Sequence, residues 1–80
     1  MKVIKAHIAK KDRKQIEIRT DFIRLDSFLK LCNVAETGGH AKFLVQDGEV
    51  KVNGEVTLSR GKKIHKGDEV EFDFVIYEVI

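Results

Sequence analysis

Residues 24–48, RLDSFLKLCNVAETGGHAKFLVQDG, hold two helical patterns joined by a short polar connection. In the first pattern, apolar residues recur every three or four positions and form one stripe, made of Phe22, Leu25, Phe28, Leu29 and Cys32. This spacing predicts a helix over about residues 24–32. Asp26 falls in its first turn, where a carboxylate favours the positive end of the helix dipole.

The second helical pattern begins at Thr37, whose hydroxyl can accept a hydrogen bond from an amide two or three residues later and so cap a helix. Three apolar residues have the spacing of its buried face: Ala41, Leu44 and Val45. Gly48 is suited to end the helix in a left-handed conformation. The short connection over residues 33–36 predicts that the two helices pack side by side or at an angle.

Strand patterns follow the helices. Residues 50–56 alternate around Asn53-Gly54, a pair that favours a type I′ hairpin turn because both residues tolerate a positive φ. A polar, basic stretch over residues 57–63 and a turn over residues 65–68 come next. Residues 70–77 then predict one half-buried strand with an acidic outer face.

Two readings are open for the N-terminal residues 1–14. Residues 4–8 and 16–18 alternate apolar with charged positions around the polar segment 10–14, which indicates a β-hairpin. A basic N-terminal stretch is equally typical of a mobile arm. With either reading, the predicted fold class is α+β, two short helices packed on a small antiparallel sheet.

The composition fits one small folded domain over residues 1–80. The chain has 80 residues, of which 42% are hydrophobic and 35% are charged, too apolar for a disordered chain and too short for two domains. It has no apolar run of membrane-spanning length and no signal-peptide block. A lone cysteine, Cys32, suits a reducing compartment. A cytoplasmic protein without a membrane partner is expected.

Charge is segregated along the chain although the net charge is only +2. Residues 1–24 hold eight basic and three acidic side chains, and residues 51–67 hold five and one. By contrast, residues 68–80 hold five acidic and no basic side chains. Segregation of this kind can give a folded domain one basic and one acidic face, and a polyanion is the natural partner of the basic face.

No pattern in the sequence predicts catalysis, a metal site or a cofactor. The histidines His7, His40 and His65 do not cluster with Cys32 at ligand spacing, and Cys32 lies on the apolar stripe, where a buried inert thiol is usual. The glycines after Thr37 could offer helix N-terminal amides to a phosphate. The basic run over residues 59–63 could contact the same kind of ligand.

Several short motifs, taken in order, resemble a known family. They are Arg24-Leu25-Asp26, Leu29, Thr37-Gly38-Gly39-x-Ala41-Lys42, Gly48-x-Val50-x-Val52-Asn53-Gly54-Glu55 and Gly67-Asp68-x-Val70. Their order and spacing over about residues 22–73 are similar to the S-four RNA-binding domain, also called the alpha-L motif. The double glycine and Arg60-Gly61-Lys62-Lys63 resemble small bacterial proteins that consist of this domain alone.

The resemblance implies a non-catalytic protein, expected as a monomer, that binds structured RNA, ribosomal or transfer RNA, and acts in ribosome assembly or translation. The RNA-binding residues it suggests are Arg24, Lys30, Thr37, Gly38, Gly39, His40, Lys42, Lys51, Arg60, Lys62 and Lys63. Larger relatives often carry Arg and Ser at the positions of Gly38 and Gly39, so backbone amides would have to substitute here. The phenylalanines fall at core spacing, which favours recognition of RNA shape and backbone over stacking with bases.

Two alternatives stay open at this point. The acidic side chains Glu69, Glu71 and Asp73 could dock a basic protein, with RNA binding incidental. Residues 52–55 and 67–71 are also similar to β-grasp sulfur carriers, but the chain ends in Glu78-Val79-Ile80, where those carriers have the Gly-Gly that their chemistry needs.

Overall fold

The computed structural model describes residues 11–80, and their fold is α+β, as the sequence predicts. In chain order the elements are β1 (Asp12–Ile16), β2 (Phe22–Arg24), α1 (Leu25–Leu31), α2 (Gly38–Gln46), β3 (Lys51–Val52), β4 (Glu55–Val56), β5 (Lys63–His65), β6 (Glu69–Phe72) and β7 (Val75–Val79). Five strands form one sheet in the order β1-β7-β6-β3-β4, and β2 pairs with β5 in a separate ribbon.

Both predicted helices form, and their ends have the expected chemistry. The Thr37 hydroxyl caps α2 by accepting a hydrogen bond from the His40 amide at 3.0 Å. Gly48 takes a φ of 78° just after α2, in the left-handed region that favours glycine. Asn53 and Gly54 have φ values of 52° and 88°, so the predicted type I′ turn joins β3 to β4.

The core is one cluster between the helices and one face of the five-stranded sheet. Leu25, Phe28 and Leu29 of α1 are fully buried, and they share the cluster with the sheet residues Val70 and Val79. Neither helix in residues 11–80 has the length and apolar character needed to cross a bilayer.

Cys32 packs against this core, as its place on the apolar stripe predicts. Burial raises the pKa of its thiol to about 12, although the nearby Lys14 charge opposes the shift. The thiolate is the reactive form of cysteine, so a thiol with this pKa is inert at neutral pH.

The first strand differs from the prediction in two ways. Residues 4–8, the predicted first arm of a hairpin, lie outside the described residues, whereas residues 12–14 of the polar segment predicted as a loop belong to β1. This strand pairs in parallel with β7, with Asp12 opposite Val75 and Ile16 opposite Val79, so the sheet is mixed rather than antiparallel. Most of β1 is exposed at the sheet edge, which is why it lacks the apolar alternation of a half-buried strand.

The single strand predicted over residues 70–77 is wrong, because a two-residue turn divides it. Asp73 and Phe74 have φ values of 52° and 64°, and the chain reverses so that Phe72 pairs with Val75. A bulky residue at positive φ is uncommon. The turn therefore lacks the glycine by which a two-residue hairpin is usually recognised in a sequence.

Phe22 does not belong to the apolar stripe of α1, contrary to the prediction. It lies in β2, where Ile23 points toward the core and Phe22 toward the opposite face, leaving Phe22 41% exposed. The three-residue spacing from Phe22 to Leu25 suggested a helix, but pairing of β2 with β5 fixes an extended backbone up to Arg24.

Candidate nucleic-acid interface

Four basic residues lie at the N-terminal end of α1, and we call this group, Arg24, Arg60, Lys62 and Lys63, the basic corner. Pairing of β2 with β5 places Arg24 directly opposite Lys63. The loop before β5 is fixed to the helix, because the Leu25 amide donates to the Lys62 carbonyl at 2.8 Å and the Asp26 amide donates to the Arg60 carbonyl at 3.0 Å. These bonds occupy helix-terminal amides that have no intrahelical acceptor.

Arg24 is held in place by Asp26. The Arg24 Nε and Nη2 atoms both lie 3.1 Å from the two carboxylate oxygens of Asp26, a bidentate pair. Gly61 lies against the same guanidinium, since a Cβ added there would come 3.5 Å from Arg24 Nη2. The guanidinium is thus oriented while more than half of its side chain stays exposed.

The pKa of Asp26 reflects this setting. Burial acts to raise the pKa of the carboxyl group, but hydrogen bonds from Arg24 and the Ser27 amide, with the charges of Arg24 and Arg60, outweigh burial and lower it. Asp26 is therefore ionised at neutral pH and compensates one of the four cations of the basic corner.

Among residues 11–80, the other three cations have no carboxylate within 4.0 Å. Lys62 lines an open groove of about 220 Å³ beside the β3–β4 turn. Burial acts to raise the pKa of the Asp68 carboxyl group, but hydrogen bonds from the His65 amide and the Asn53 side chain outweigh burial and lower this pKa. The charge of Lys62 lowers it further. Lys63 Nζ lies 4.8 Å from the centroid of the Phe22 ring. The corner thus presents an excess of positive charge to solvent.

A second group of predicted residues lies at the other end of α1. Lys30 is exposed in the last turn of α1, and the connection from there leads directly to Thr37 and the start of α2. Since seven residues of helix rise about 10 Å, Lys30 is roughly one short helix length from the basic corner.

The start of α2 is open to solvent. A Cβ added at Gly38 would meet no heavy atom within 4 Å, and one added at Gly39 would meet only the Thr37 hydroxyl at 3.9 Å. His40 and Lys42 are exposed on the same helix. The backbone of both glycines is therefore accessible. Such access is needed if backbone amides, and not larger side chains, are to contact a ligand here.

Lys51 is separate from both groups. Val52, the next residue, is buried under the helices, so Lys51 lies on the opposite face of the sheet, directly across from Glu71. We call this the outer sheet face. Sequence reasoning placed Lys51 with the other cations because it could not assign the face of a two-residue strand.

The outer sheet face also accounts for much of the charge segregation seen in the sequence. Lys11 pairs with Glu71 and Arg13 pairs with Glu69, each at 3.0 Å, and Gln15 donates to Glu78 at 3.3 Å. Two of the N-terminal cations, Lys11 and Arg13, are thus paired with acidic residues of β6. Two of the three carboxylates proposed for docking a basic protein, those of Glu69 and Glu71, already have partners within the chain.

A hydrogen-bonded cluster that the sequence did not reveal joins the two turns near the groove. The Asp68 carboxylate accepts from the His65 amide at 2.7 Å and from the Asn53 side chain at 3.1 Å. The Asn53 side-chain oxygen in turn accepts from the Glu69 amide at 2.9 Å. Asp and Asn side chains commonly fix turns in this way. The signal for this cluster in the sequence was the presence of Asp68 in one predicted turn and Asn53 in another.

The described residues contain no group of three His, Cys, Asp or Glu side chains that could hold a metal ion. The chemistry on offer in the basic corner and at the start of α2 is that of fixed cations and backbone donors. Such groups recognise phosphate.

Comparison with known proteins indicates the same family as the sequence motifs do. A family model described as S4 domain matches residues 16–80, somewhat more than the span over which the motifs were recognised. A protein of Bacillus subtilis (strain 168) named "Probable ribosome maturation protein RlbA" is 42% identical over 66 residues, which cover 81% of this chain and 93% of that protein. With its paired helices, Asn-Gly hairpin and family match in agreement, this chain belongs to the S4 domain family.

Proposed function

We propose that the protein binds structured RNA, without catalysis, and that it does so in ribosome maturation. The observation that carries the proposal is the basic corner, where strand pairing and loop-to-helix hydrogen bonds bring four basic residues together and, within residues 11–80, only Arg24 is paired with a carboxylate. Membership of the S4 domain family and likeness to a protein named for ribosome maturation support the same function.

In this proposal the basic corner makes the main phosphate contacts, and the open start of α2, which follows the far end of α1 in the chain, adds backbone donors. Phosphate charges are closely spaced along a nucleic-acid duplex, and the proposal has one RNA segment contact both groups. The predicted contacts of Lys30, Thr37, Gly38, Gly39, His40 and Lys42 belong to this second group. Lys51 is left out, because it lies on the outer sheet face.

Salt dependence of binding tests the electrostatic core of the proposal. With four phosphate contacts, the logarithm of affinity should fall with the logarithm of salt concentration at a slope of about −3. Fluorescence anisotropy with labelled fragments of ribosomal RNA measures this slope. Affinity that does not change with salt, or no binding at low salt, would contradict the proposal.

A pair of double variants locates the contacts. Arg60→Ala with Lys63→Ala removes two cations from the basic corner and should weaken binding while making the salt slope shallower by about 1.5. Lys11→Ala with Arg13→Ala removes the same charge from the outer sheet face and should leave the slope unchanged. Both should keep the free energy of unfolding within about 1 kcal/mol, because exposed charges contribute little to stability. Equal loss of binding by the two would mean that net charge, and not the corner, governs affinity.

A further inference from the structure

One face of the β2–β5 ribbon combines aromatic and basic side chains. Phe22 lies opposite His65 and Arg24 lies opposite Lys63, and side chains of directly opposed residues share a face. Between these two pairs, Ile23 and Ile64 point the other way, and Ile64 is fully buried. The two isoleucines of the ribbon therefore face the core, and the two rings and two cations lie together on the face exposed to solvent.

The two rings lie next to each other and remain accessible. The centroids of Phe22 and His65 are 6.1 Å apart, with their planes inclined by 50°. Phe22 is 41% exposed, and it does not belong to the buried cluster that the helices form with the sheet. A large apolar ring left open beside the basic corner offers a stacking surface where a phosphate backbone would already be held.

We propose that Phe22 and His65 form a stacking platform for an unpaired base of the bound RNA, with Arg24 and Lys63 contacting the phosphates on either side of it. The inference rests on the proposed RNA binding and adds to it the kind of RNA recognised. The ligand would carry at least one unstacked nucleotide, in a loop or bulge, beside its helical part. This differs from the expectation that recognition uses only shape and backbone, which assumed that every phenylalanine is in the core.

The affinities involved favour this exchange of contacts. Lys63 now lies over the Phe22 ring, and at an exposed site such a cation–π contact is worth a factor of about 2 to 5 in an equilibrium constant. Stacking of a base on an aromatic side chain is worth about 5- to 150-fold. Lys63 has a long flexible stem, so its ammonium can move from the ring to a neighbouring phosphate when a base takes its place.

The chain contains no tryptophan, so Phe22→Trp gives a single fluorescent reporter within the platform. The two probes are a hairpin RNA with a loop of adenosines and a blunt duplex RNA with the same stem. When the hairpin binds, the indole emission should be quenched by the stacked base, and when the duplex binds it should not. Phe22→Trp should bind the hairpin at least as well as the unaltered protein.

Loss of the ring gives the complementary measurement. Phe22→Ala and Phe22→Leu should each bind the hairpin about tenfold more weakly, and the duplex less than twofold more weakly. Leucine keeps an apolar contact for folding but has no π face. Phe43→Ala is the matched control, since Phe43 is a 62% exposed phenylalanine on α2, and it should change neither affinity.

The outcomes separate the two proposals. If the unaltered protein binds neither RNA at low salt, the proposed function fails and the platform with it. If it binds both RNAs but the indole emission is unchanged, or the Phe22 variants lose the same affinity for hairpin and duplex, only the stacking platform is overturned.

Discussion

At the scale of single residues, Arg24 and Asp26 show how an ion pair can serve binding more than stability. The pair is exposed to solvent, where ion pairs contribute about 0 to 1 kcal/mol. Its two hydrogen bonds nevertheless fix the orientation of the guanidinium before a ligand arrives. Less side-chain freedom is then lost when Arg24 contacts a phosphate, which is the general advantage of a preorganised site.

Asp26 gives the folded protein a predicted sensitivity to acid. Its pKa is lower in the folded state than the ordinary value of 3.8, so the unfolded chain takes up a proton first as the pH falls. Its contribution to stability is therefore complete above about pH 4 and is lost as the pH drops through the folded-state pKa. Asp26→Asn should flatten this part of the stability profile, measured by urea unfolding at a series of pH values.

Asp21→Asn, which removes an equal charge at an exposed site without an ion pair in the described part of the chain, is the control for that experiment. A profile for Asp26→Asn that matches the unaltered protein at every pH would contradict the assignment.

Cys32 provides a second prediction at this scale. Because burial raises the pKa of its thiol from 9.0 to about 12, the fraction present as thiolate at pH 8 is far below that in the unfolded chain. Alkylation by iodoacetamide at pH 8 should be at least about a hundredfold slower in the native protein than in denaturant. Mass spectrometry over time measures both rates, and similar rates would show that the thiol is exposed.

At the scale of elements, the two hairpin turns of the sheet contrast sharply. The β3–β4 turn uses Asn53-Gly54, and the β6–β7 turn puts Asp73 and Phe74 at similar positive φ values. Asn53-Gly54 is suited to a backbone with positive φ values. Asp73-Phe74 is not, because Phe74 carries a Cβ in the left-handed region. Its ring is 58% exposed, so little burial compensates.

Replacing the second turn with the chemistry of the first should stabilise the protein. Asp73→Asn with Phe74→Gly relieves the strain of the left-handed backbone, but glycine has more freedom to lose when the chain folds. The net gain in the free energy of unfolding should be about 0.5 to 1 kcal/mol. The reciprocal variant Gly54→Phe should lose about 1 to 2 kcal/mol. Urea unfolding measures both. A loss of stability in the double variant would show that Phe74 makes a contribution that its exposure does not reveal.

Elements whose local chemistry is explicit were the predictable ones. Both helices, the Thr37 cap, the Gly48 terminus and the Asn53-Gly54 turn follow from residues within one or two turns of each other. The signals were missing where distant pairing decided the structure. Phe22 has helical spacing to Leu25, yet its partner His65 makes it a strand residue.

The residues of the candidate site were predictable in part, but their arrangement was not. Arg24 and the basic run over residues 60–63 could be named from the sequence, and strand pairing brings them together. Their arrangement could not be foreseen, since it depends on the β2–β5 register and on two loop-to-helix hydrogen bonds. The face occupied by Lys51 and the exposure of Phe22 likewise depend on which way a short strand turns.

At the scale of the whole molecule, the two regions rich in positive charge have different fates. Cations at the start of the described chain, Lys11 and Arg13, pair with carboxylates on β6 and support the sheet. Those of the basic corner remain largely uncompensated. The net charge of +2 therefore understates the local excess at the corner, and the sequence alone cannot divide its cations between the two uses.

The parallel pairing of β1 with β7 also bears on the order of events during synthesis. Asp12–Ile16 has to wait for Val75–Val79 to be translated before its ladder can close, whereas the strand pairing that sets Arg24 opposite Lys63 involves no residue beyond His65. Contacts between distant parts of a chain form late, because their loop-closure entropy must be overcome first. All residues of the cationic surface have accordingly been translated while the backbone donors and acceptors of β1 are still unmatched, and the arrival of β6 and β7 then completes both the sheet and the core beneath α1.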